Sequence, residues 1–377
     1  MPISFNTIPA VTRVPFTYVE FDGSKSNTGA AQQDYKILLI GEKSDSGSHE
    51  VLIPIRVFSG ALAKEFFGED SMLHRMAKRA LDANTSTPIY AIAVEEGADD
   101  ITPVFDALKD EQYHIIACHF SDPVNLKRLE DKLAKRFLPN RSIEGFAFVA
   151  IDKPHRDALA ILHGRNSPHV SILCTAGSPT PPEEWAASTA AVVAFHGNID
   201  PARPFRTLEL PGMEPPIETE RFTFEEREGL LTEGGSTYTV DAGGRVRIEK
   251  LVSTYKTNEA GEPSESYSSV NTLLTLSYLR FSFRSYFNTK YPRHKLAGDN
   301  IQFGAGQAIM TPSLAKAECI ALFRQWEDLG LVQDIDSFKN ALIVEIHPKN
   351  KSRLDFSLES VLKGHELLIG ARRFSII

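Results

Sequence analysis

From Tyr35 onward, short apolar runs alternate with stretches whose apolar residues recur at helical spacing. The runs at 36–40, 89–94, 114–119, 145–151 and 170–174 have the length and content of strands. Between and after them, 61–67, 72–83, 101–108, 124–137, 156–163 and 183–196 carry helical patterns. Strands alternating with helices over some 160 residues predict a mostly parallel, helix-covered sheet.

Beyond a proline-rich stretch at 201–216 the pattern changes. Residues 236–240 and 246–252 flank the turn Asp241-Ala242-Gly243-Gly244 and predict a β-hairpin, the glycines supplying the positive φ such a turn needs. A polar loop at 256–266 leads into a long helix from Val270 to about Lys290, stopped by Pro292. After a glycine-rich loop at 298–306, Thr311 is a natural N-cap and Pro312 a favoured first residue for a helix over 312–329. Strands are expected at 341–346, 353–358 and 366–377. The fold class expected is therefore α/β plus α+β.

Both chain ends read as strands. Val14, Phe16 and Tyr18 alternate with Pro15, Thr17 and Val19, and the C-terminus closes on Phe374-Ser375-Ile376-Ile377. Apolar ends must be buried against a sheet, either the chain's own or a neighbour's. A polar stretch at 22–34 reads as a flexible linker. The organisation expected is an arm at 1–21, a linker at 22–34, an α/β unit at 35–210, an α+β unit at 211–365 and a terminal strand at 366–377.

A net charge of −8 argues against nonspecific nucleic-acid binding. Cys118, Cys174 and Cys319 are widely spaced and fit neither a disulfide framework nor a zinc site; they are expected as buried thiols in a reducing compartment. The start lacks the basic and apolar regions of a signal peptide, and no apolar run approaches a membrane span, so neither secretion by that route nor membrane insertion is expected.

The usual catalytic signatures are missing: there is no P-loop, no GxSxG elbow and no HExxH. Gly304-Ala305-Gly306 opens like a dinucleotide loop but lacks the third glycine and follows no predicted strand. His114 and His119 flank one strand and would face opposite ways, a poor ligand pair, while His163, His169 and His196 sit near element ends. Asp99-Asp100 and Glu225-Glu226 read as helix starts. Arg280, Arg284, Lys290, Arg293, His294 and Lys295, interleaved with aromatics, read as the outer side of a helix whose Leu274, Tyr278 and Phe281 face the core, leaving the basic side free to meet an acidic protein surface. No residue is assigned a catalytic, metal-binding or cofactor-binding role, and no cofactor is expected.

Several collinear segments carry a family resemblance. Arg247-Ile248-Glu249-Lys250-Leu251-Val252-Ser253-Thr254-Tyr255, Thr272 to Arg280, Tyr291-Pro292-Arg293-His294-Lys295-Leu296, Phe303-Gly304 with Gly306-Gln307-Ala308, and Arg353-Leu354-Asp355-Phe356 resemble the tail sheath protein of contractile-tailed phages, in its Mu-like branch. Ile3-Ser4-Phe5-Asn6-Thr7-Ile8-Pro9 with Arg13-Val14-Pro15 and Tyr18-Val19-Glu20-Phe21 resembles that family's opening. The chain is short for that branch, passing from Val94 through one short helix into 114–119, where the resemblance implies an additional surface domain in relatives.

The resemblance implies a non-enzymatic subunit that polymerises helically with itself around a tail tube and contracts to drive the tube through a bacterial envelope. It implies an outer α/β domain, an inner domain built from both chain ends, and terminal arms that complete neighbouring subunits' sheets. Val14, Phe16, Tyr18, Val19, Leu367, Ile369, Phe374 and Ile376 are then the expected subunit-interface residues, and Lys316 and Arg324 the expected tube contacts. Tube, baseplate and tail terminator proteins are the implied partners, in a virion assembled in the host cytoplasm. The alternatives are the sheath of an R-type bacteriocin or related injection machine, and a cytoplasmic α/β hydrolase or nucleotide-binding enzyme.

Overall fold

The computed structural model describes residues 33–304, 306–358 and 361–362. In chain order the first part comprises β1 (Ile37–Glu42), β2 (Ile55–Val57), α1 (Gly60–Phe67), α2 (Met72–Ala83), β3 (Ile89–Val94), α3 (Thr102–Leu108), β4 (Ile115–Cys118), α4 (Pro123–Phe137), β5 (Phe146–Ile151), α5 (His155–Leu162), β6 (Val170–Cys174) and α6 (Pro182–Ile199). Then follow α7 (Phe224–Thr232), β7 (Gly235–Val240), β8 (Val246–Lys250), α8 (Val270–Lys290), β9 (Lys295–Leu296), β10 (Ile309–Met310), α9 (Pro312–Asp328), β11 (Val332–Gln333), α10 (Ile335–Ala341), β12 (Ile343–Ile346), β13 (Leu354–Ser357) and β14 (Val361–Leu362). The architecture is mixed, with parallel and antiparallel sheets.

Eight strands form one sheet in the order β2-β3-β1-β4-β5-β6-β7-β8. The six from β3 to β7 run parallel, while β2 and β8 close the two edges antiparallel. β1 is apolar almost throughout because both faces are covered, and successive side chains enter opposite layers. Ile37 and Leu39 join Phe67, Leu73, Met76, Trp185 and Ala190, under α1, α2 and α6. Leu38 and Ile40 join Phe105, Leu126, Leu129, Leu162 and Leu230, under α3, α4, α5 and α7.

Charged anchors fix the covering helices. On α6 the buried Glu184 accepts from Arg75 Nε at 3.1 Å and Arg79 Nε at 2.6 Å, tying α6 to α2. A buried carboxylate is tolerable only with such charge-assisted bonds. Between α7 and β7, Gly234 takes φ 81°, and a Cβ there would stand 2.9 Å from Thr254 Cα, so the turn requires glycine.

The predicted hairpin forms as β7 and β8 and adds to β6 through Ile172↔Gly235 and Leu173↔Ser236. The sheet therefore continues past the proline-rich stretch. The predicted strand at 341–346 starts at Ile343, because Ile335–Ala341 forms α10, with Asp334 accepting from Ser337 N–H as its N-cap. The strand expected at 366–377 and the N-terminal arm lie outside the described residues.

α8 joins the two parts of the molecule. Its 21 residues span about 31 Å. Val270, Leu273 and Leu274 pack into the sheet's core, whereas Leu279 packs into a second core with Cys319, Leu322, Phe323, Trp326, Phe338 and Leu342. There Phe323 stacks on Phe338 at 4.0 Å, and Trp326 Nε1 donates to Ser282 Oγ at 3.0 Å. Two expectations for α8 fail. Phe281 joins none of the cores among the described residues and lines a surface cleft with His114, Glu144 and Arg284. Arg280 does not lie on the outer side: its Nε donates to buried Glu144 at 2.7 Å, its Nη1 donates to the Phe137 carbonyl, and its guanidinium lies 3.9 Å over the Phe137 ring. A planar guanidinium satisfies the carboxylate, the carbonyl and the ring at once.

Candidate assembly surface

The C-terminal part carries short sheets with open edges. β12 and β13 form an antiparallel hairpin in which Val344 faces Phe356 and Ile346 faces Leu354. On one face, Phe356 packs edge-on against Phe283 and Phe287 of α8, at 5.3 and 5.4 Å. On the other face Ile343 is 58% exposed.

The hydrogen-bond alternation locates the free backbone groups. His347 N–H donates to the Arg353 carbonyl, so 345/355 and 343/357 are the bonded pairs of the ladder. Val344 and Ile346 on one strand, and Leu354 and Phe356 on the other, therefore point their N–H and C=O groups outward. Among the described residues neither edge has a strand partner. β11 and β14 pair over two residues each, at the point where the described chain ends. Isolated two-stranded sheets are marginal in water, and free edges are templates for another strand.

Lys316 and Arg324 both lie on α9, two turns apart. Arg324 is exposed and Lys316 half-buried at the flank of the outward face, so the helix does not present them as one patch. Val14, Phe16, Tyr18, Val19, Leu367, Ile369, Phe374 and Ile376 lie outside the described residues.

The order in which strands are added to the α/β sheet reverses between β1 and β4, the place where doubly wound sheets bind ligands. The cleft there is lined by Asp99, Asp100, His119, Ser121, Asp122 and Arg128. Two of its three carboxylates are engaged locally: Asp122 accepts from Val124 and Asn125 N–H as the cap of α4, and Asp100 accepts from Thr102 N–H and pairs with Arg128 at 2.9 Å. His119 and His114 do point to different surroundings, as expected. His114 stacks on Tyr35 at 5.0 Å and accepts from Lys36 N–H. Burial lowers the pKa of His114, His119 and His169 to about 4, leaving all three neutral. Burial pushes the thiols of Cys118, Cys174 and Cys319 up to about 12, so they are poor nucleophiles. Gly304 and Gly306 lie in the loop joining β9 to β10, not between a strand and a helix of the large sheet. Among the described residues no group of acidic, histidine or cysteine side chains is arranged to hold a metal ion.

Residues 95–254 match the family model for the phage tail sheath protein central domain, and residues 262–359 that for the phage tail sheath C-terminal domain. The Mu-like prophage FluMu tail sheath protein of Haemophilus influenzae is 30% identical, over 94% of this chain and 96% of its own length. That alignment runs over 466 positions against a chain of 377 residues, so the relative carries insertions absent here. Among solved structures, the fold is similar to the sheath tail protein of Desulfitobacterium hafniense, with TM-score 0.60 and 10% identity, covering 92% of this chain and all of that one. It is also similar to the anti-feeding prophage helical sheath in its contracted state, with TM-score 0.61 and 13% identity, covering 97% and 99%.

Proposed function

The chain belongs to the phage tail sheath protein family, a family of structural and not enzymatic proteins, and on that premise we propose that it polymerises helically around a tail tube by exchanging strands between subunits. The observation that carries this reading is the β12–β13 hairpin, with outward-facing backbone groups on both edges, beside the short β11–β14 pair from which the C-terminal segment departs. A donated strand would satisfy those groups and bury apolar side chains in alternation. Val14, Phe16 and Tyr18 alternate at one chain end, with Val19 on the opposite face, and at the other end Leu367 with Ile369 and Phe374 with Ile376 form two alternating pairs.

In this reading residues 35–210 form the core of an outer unit and 211–365 an inner unit, although β7 and β8 pair with the outer sheet. The 22–34 linker lets subunits tilt while the 1–21 arm and the 366–377 strand stay paired. Contact repeated head to tail without closing generates an open helix. Contraction then rearranges this lattice and drives the tube through the envelope. Arg324, with Lys316 at its flank, meets the tube, and baseplate and terminator proteins cap the ends. Assembly takes place in the host cytoplasm as part of the virion. The same mechanics would serve an injection particle other than a phage.

Electron microscopy of the full chain beside a version lacking residues 1–20 and 366–377 tests this proposal. Hollow tubes from the full chain and monomers from the truncation are the expected result. Polymers from both would remove strand exchange as the assembly device.

A further inference from the structure

Resting on the reading of the chain as a self-polymerising subunit, we infer that its acidic 214–228 ridge docks on the basic 284–303 knuckle of a second copy. Neither surface takes part in the edges of the β12–β13 hairpin, so this contact is separate from strand exchange.

The ridge follows the proline-rich stretch and runs through a short 3-10 turn, Glu218–Glu220, into α7. Glu214, Glu218, Glu220, Glu225 and Glu228 make no ion pair among the described residues. Two large apolar side chains stand out among them, Ile217 at 65% and Phe224 at 67% exposure. Single exposed apolar residues are ordinary, but two in one fifteen-residue acidic segment set apolar anchors among charges, the mixture of residue types an interface uses.

The knuckle has the inverse charge. It comprises the end of α8, the strand β9 and the start of the loop to β10. Arg284 and Arg293 are exposed and make no ion pair among the described residues, and Lys295 reaches only Gln307 Oε1, at 3.2 Å. Lys290 is committed to Glu318 at 2.5 Å, and Asp299 caps the turn at Ser313 N–H. The loop adds two apolar anchors, Ile301 at 57% and Phe303 at 49% exposure.

The two surfaces do not neutralise one another within the subunit. The ridge lies over the α5–α7 layer, where Phe222 packs against that layer's core, while the knuckle runs from Arg284, in a cleft beside His114 and Glu144, along α8 to β9 and the loop beyond. Two complementary patches at separate places on one chain make a heterologous contact, the kind that propagates. Like charges would repel ridge from ridge and knuckle from knuckle, which fixes the polarity of the contact.

Charge reversal with rescue tests the contact. A ridge variant (Glu218→Lys, Glu220→Lys, Glu225→Lys) and a knuckle variant (Arg284→Glu, Arg293→Glu, Lys295→Glu) are prepared in the full chain, with circular dichroism and thermal melting as folding checks. Each alone should raise the critical concentration for polymerisation at least tenfold. An equimolar mixture should polymerise, since the unaltered knuckle of one variant fits the unaltered ridge of the other and the two reversed patches fit each other. The chain carrying both reversals should assemble alone. The neutral set Glu218→Gln, Glu220→Gln and Glu225→Gln, which perturbs folding least, should flatten the dependence of wild-type assembly on salt between about 50 and about 500 mM. Reversed variants that polymerise like wild type overturn the contact, as does a mixture that fails to assemble. If the knuckle variant forms tubes alone but no longer loads on a tail tube, the knuckle belongs to the tube and the inference falls. Failure of the wild-type chain to polymerise under any condition would instead strike the proposed function.

Discussion

Arg280 and the buried histidines are where single residues decide most. Truncating Arg280 to alanine would strand Glu144 as a buried unpaired carboxylate and remove the cation from the Phe137 face. The expected loss is about 3 kcal/mol, read as a lower midpoint in urea unfolding, and Arg280→Lys should recover only part of it because one ammonium cannot replace the fork. His114, His119 and His169 have folded pKa values of about 4 against about 6.5 when unfolded. Between those values the unfolded chain binds more protons, so stability is fully present above about pH 6.5 and declines as pH falls toward 4. The slope is at most about 1.4 kcal/mol per pH unit for each histidine. Thermal melting from pH 7.5 to 4.5 should show this decline, and a melting temperature flat across that range would contradict the burial of these rings. In the sequence His114 and His119 read as a poor ligand pair flanking one strand, and His169 as a residue near an element end. What makes them distinctive is the stack on Tyr35 for His114, the neighbouring Phe120 for His119 and the contact with Phe137 for His169, all supplied by the packing.

At the scale of elements, the β12–β13 hairpin separates folding from assembly. Val344 and Ile346 direct their N–H groups away from β13, so Ile346→Pro removes no ladder bond of the hairpin and should alter stability by less than about 1 kcal/mol. On the opposite edge Leu354→Pro has the same character. At least one of the two should abolish tube formation in electron micrographs while leaving a folded monomer; normal tubes from both would remove these edges from the assembly. Phe323→Ala makes the contrasting case. It empties a stacked position in the second core and should cost about 3 to 5 kcal/mol, collapsing the C-terminal part before any question of assembly arises. The long elements were legible from periodicity and capping: Thr311 accepts from Leu314 N–H with Pro312 in the first turn, as the sequence indicates. The short ones were not. β2, β9, β10, β11 and β14 have two or three residues each, too few to carry a period, and exist because a neighbouring strand is present to pair with.

For the whole molecule, the net charge of −8 is unevenly spread, with a basic end near α8 and an acidic segment that runs into α7. If α9 meets an acidic tube, Arg324→Glu should weaken loading on the tube severalfold and Lys316→Glu less, because Lys316 is half-buried at the flank. Sedimentation of sheath with tube at two salt concentrations measures this, and both effects should shrink at high salt. Equal losses from the two variants would contradict an α9 that exposes Arg324 more than Lys316.

The sequence by itself determined the alternating α/β pattern, the long helices at 270–290 and 312–329, the hairpin at 236–252, and the family through collinear segments. These follow from local periodicity and from motif order, which survive without knowledge of the fold. Only the tertiary structure decided that the hairpin extends the large sheet, that Arg280 turns inward and that α8 serves two cores with its two halves. It alone located the outward-facing backbone groups of the β12–β13 hairpin. Each of these depends on which distant segments meet, and a strand's partner, unlike its period, is not written in its own residues.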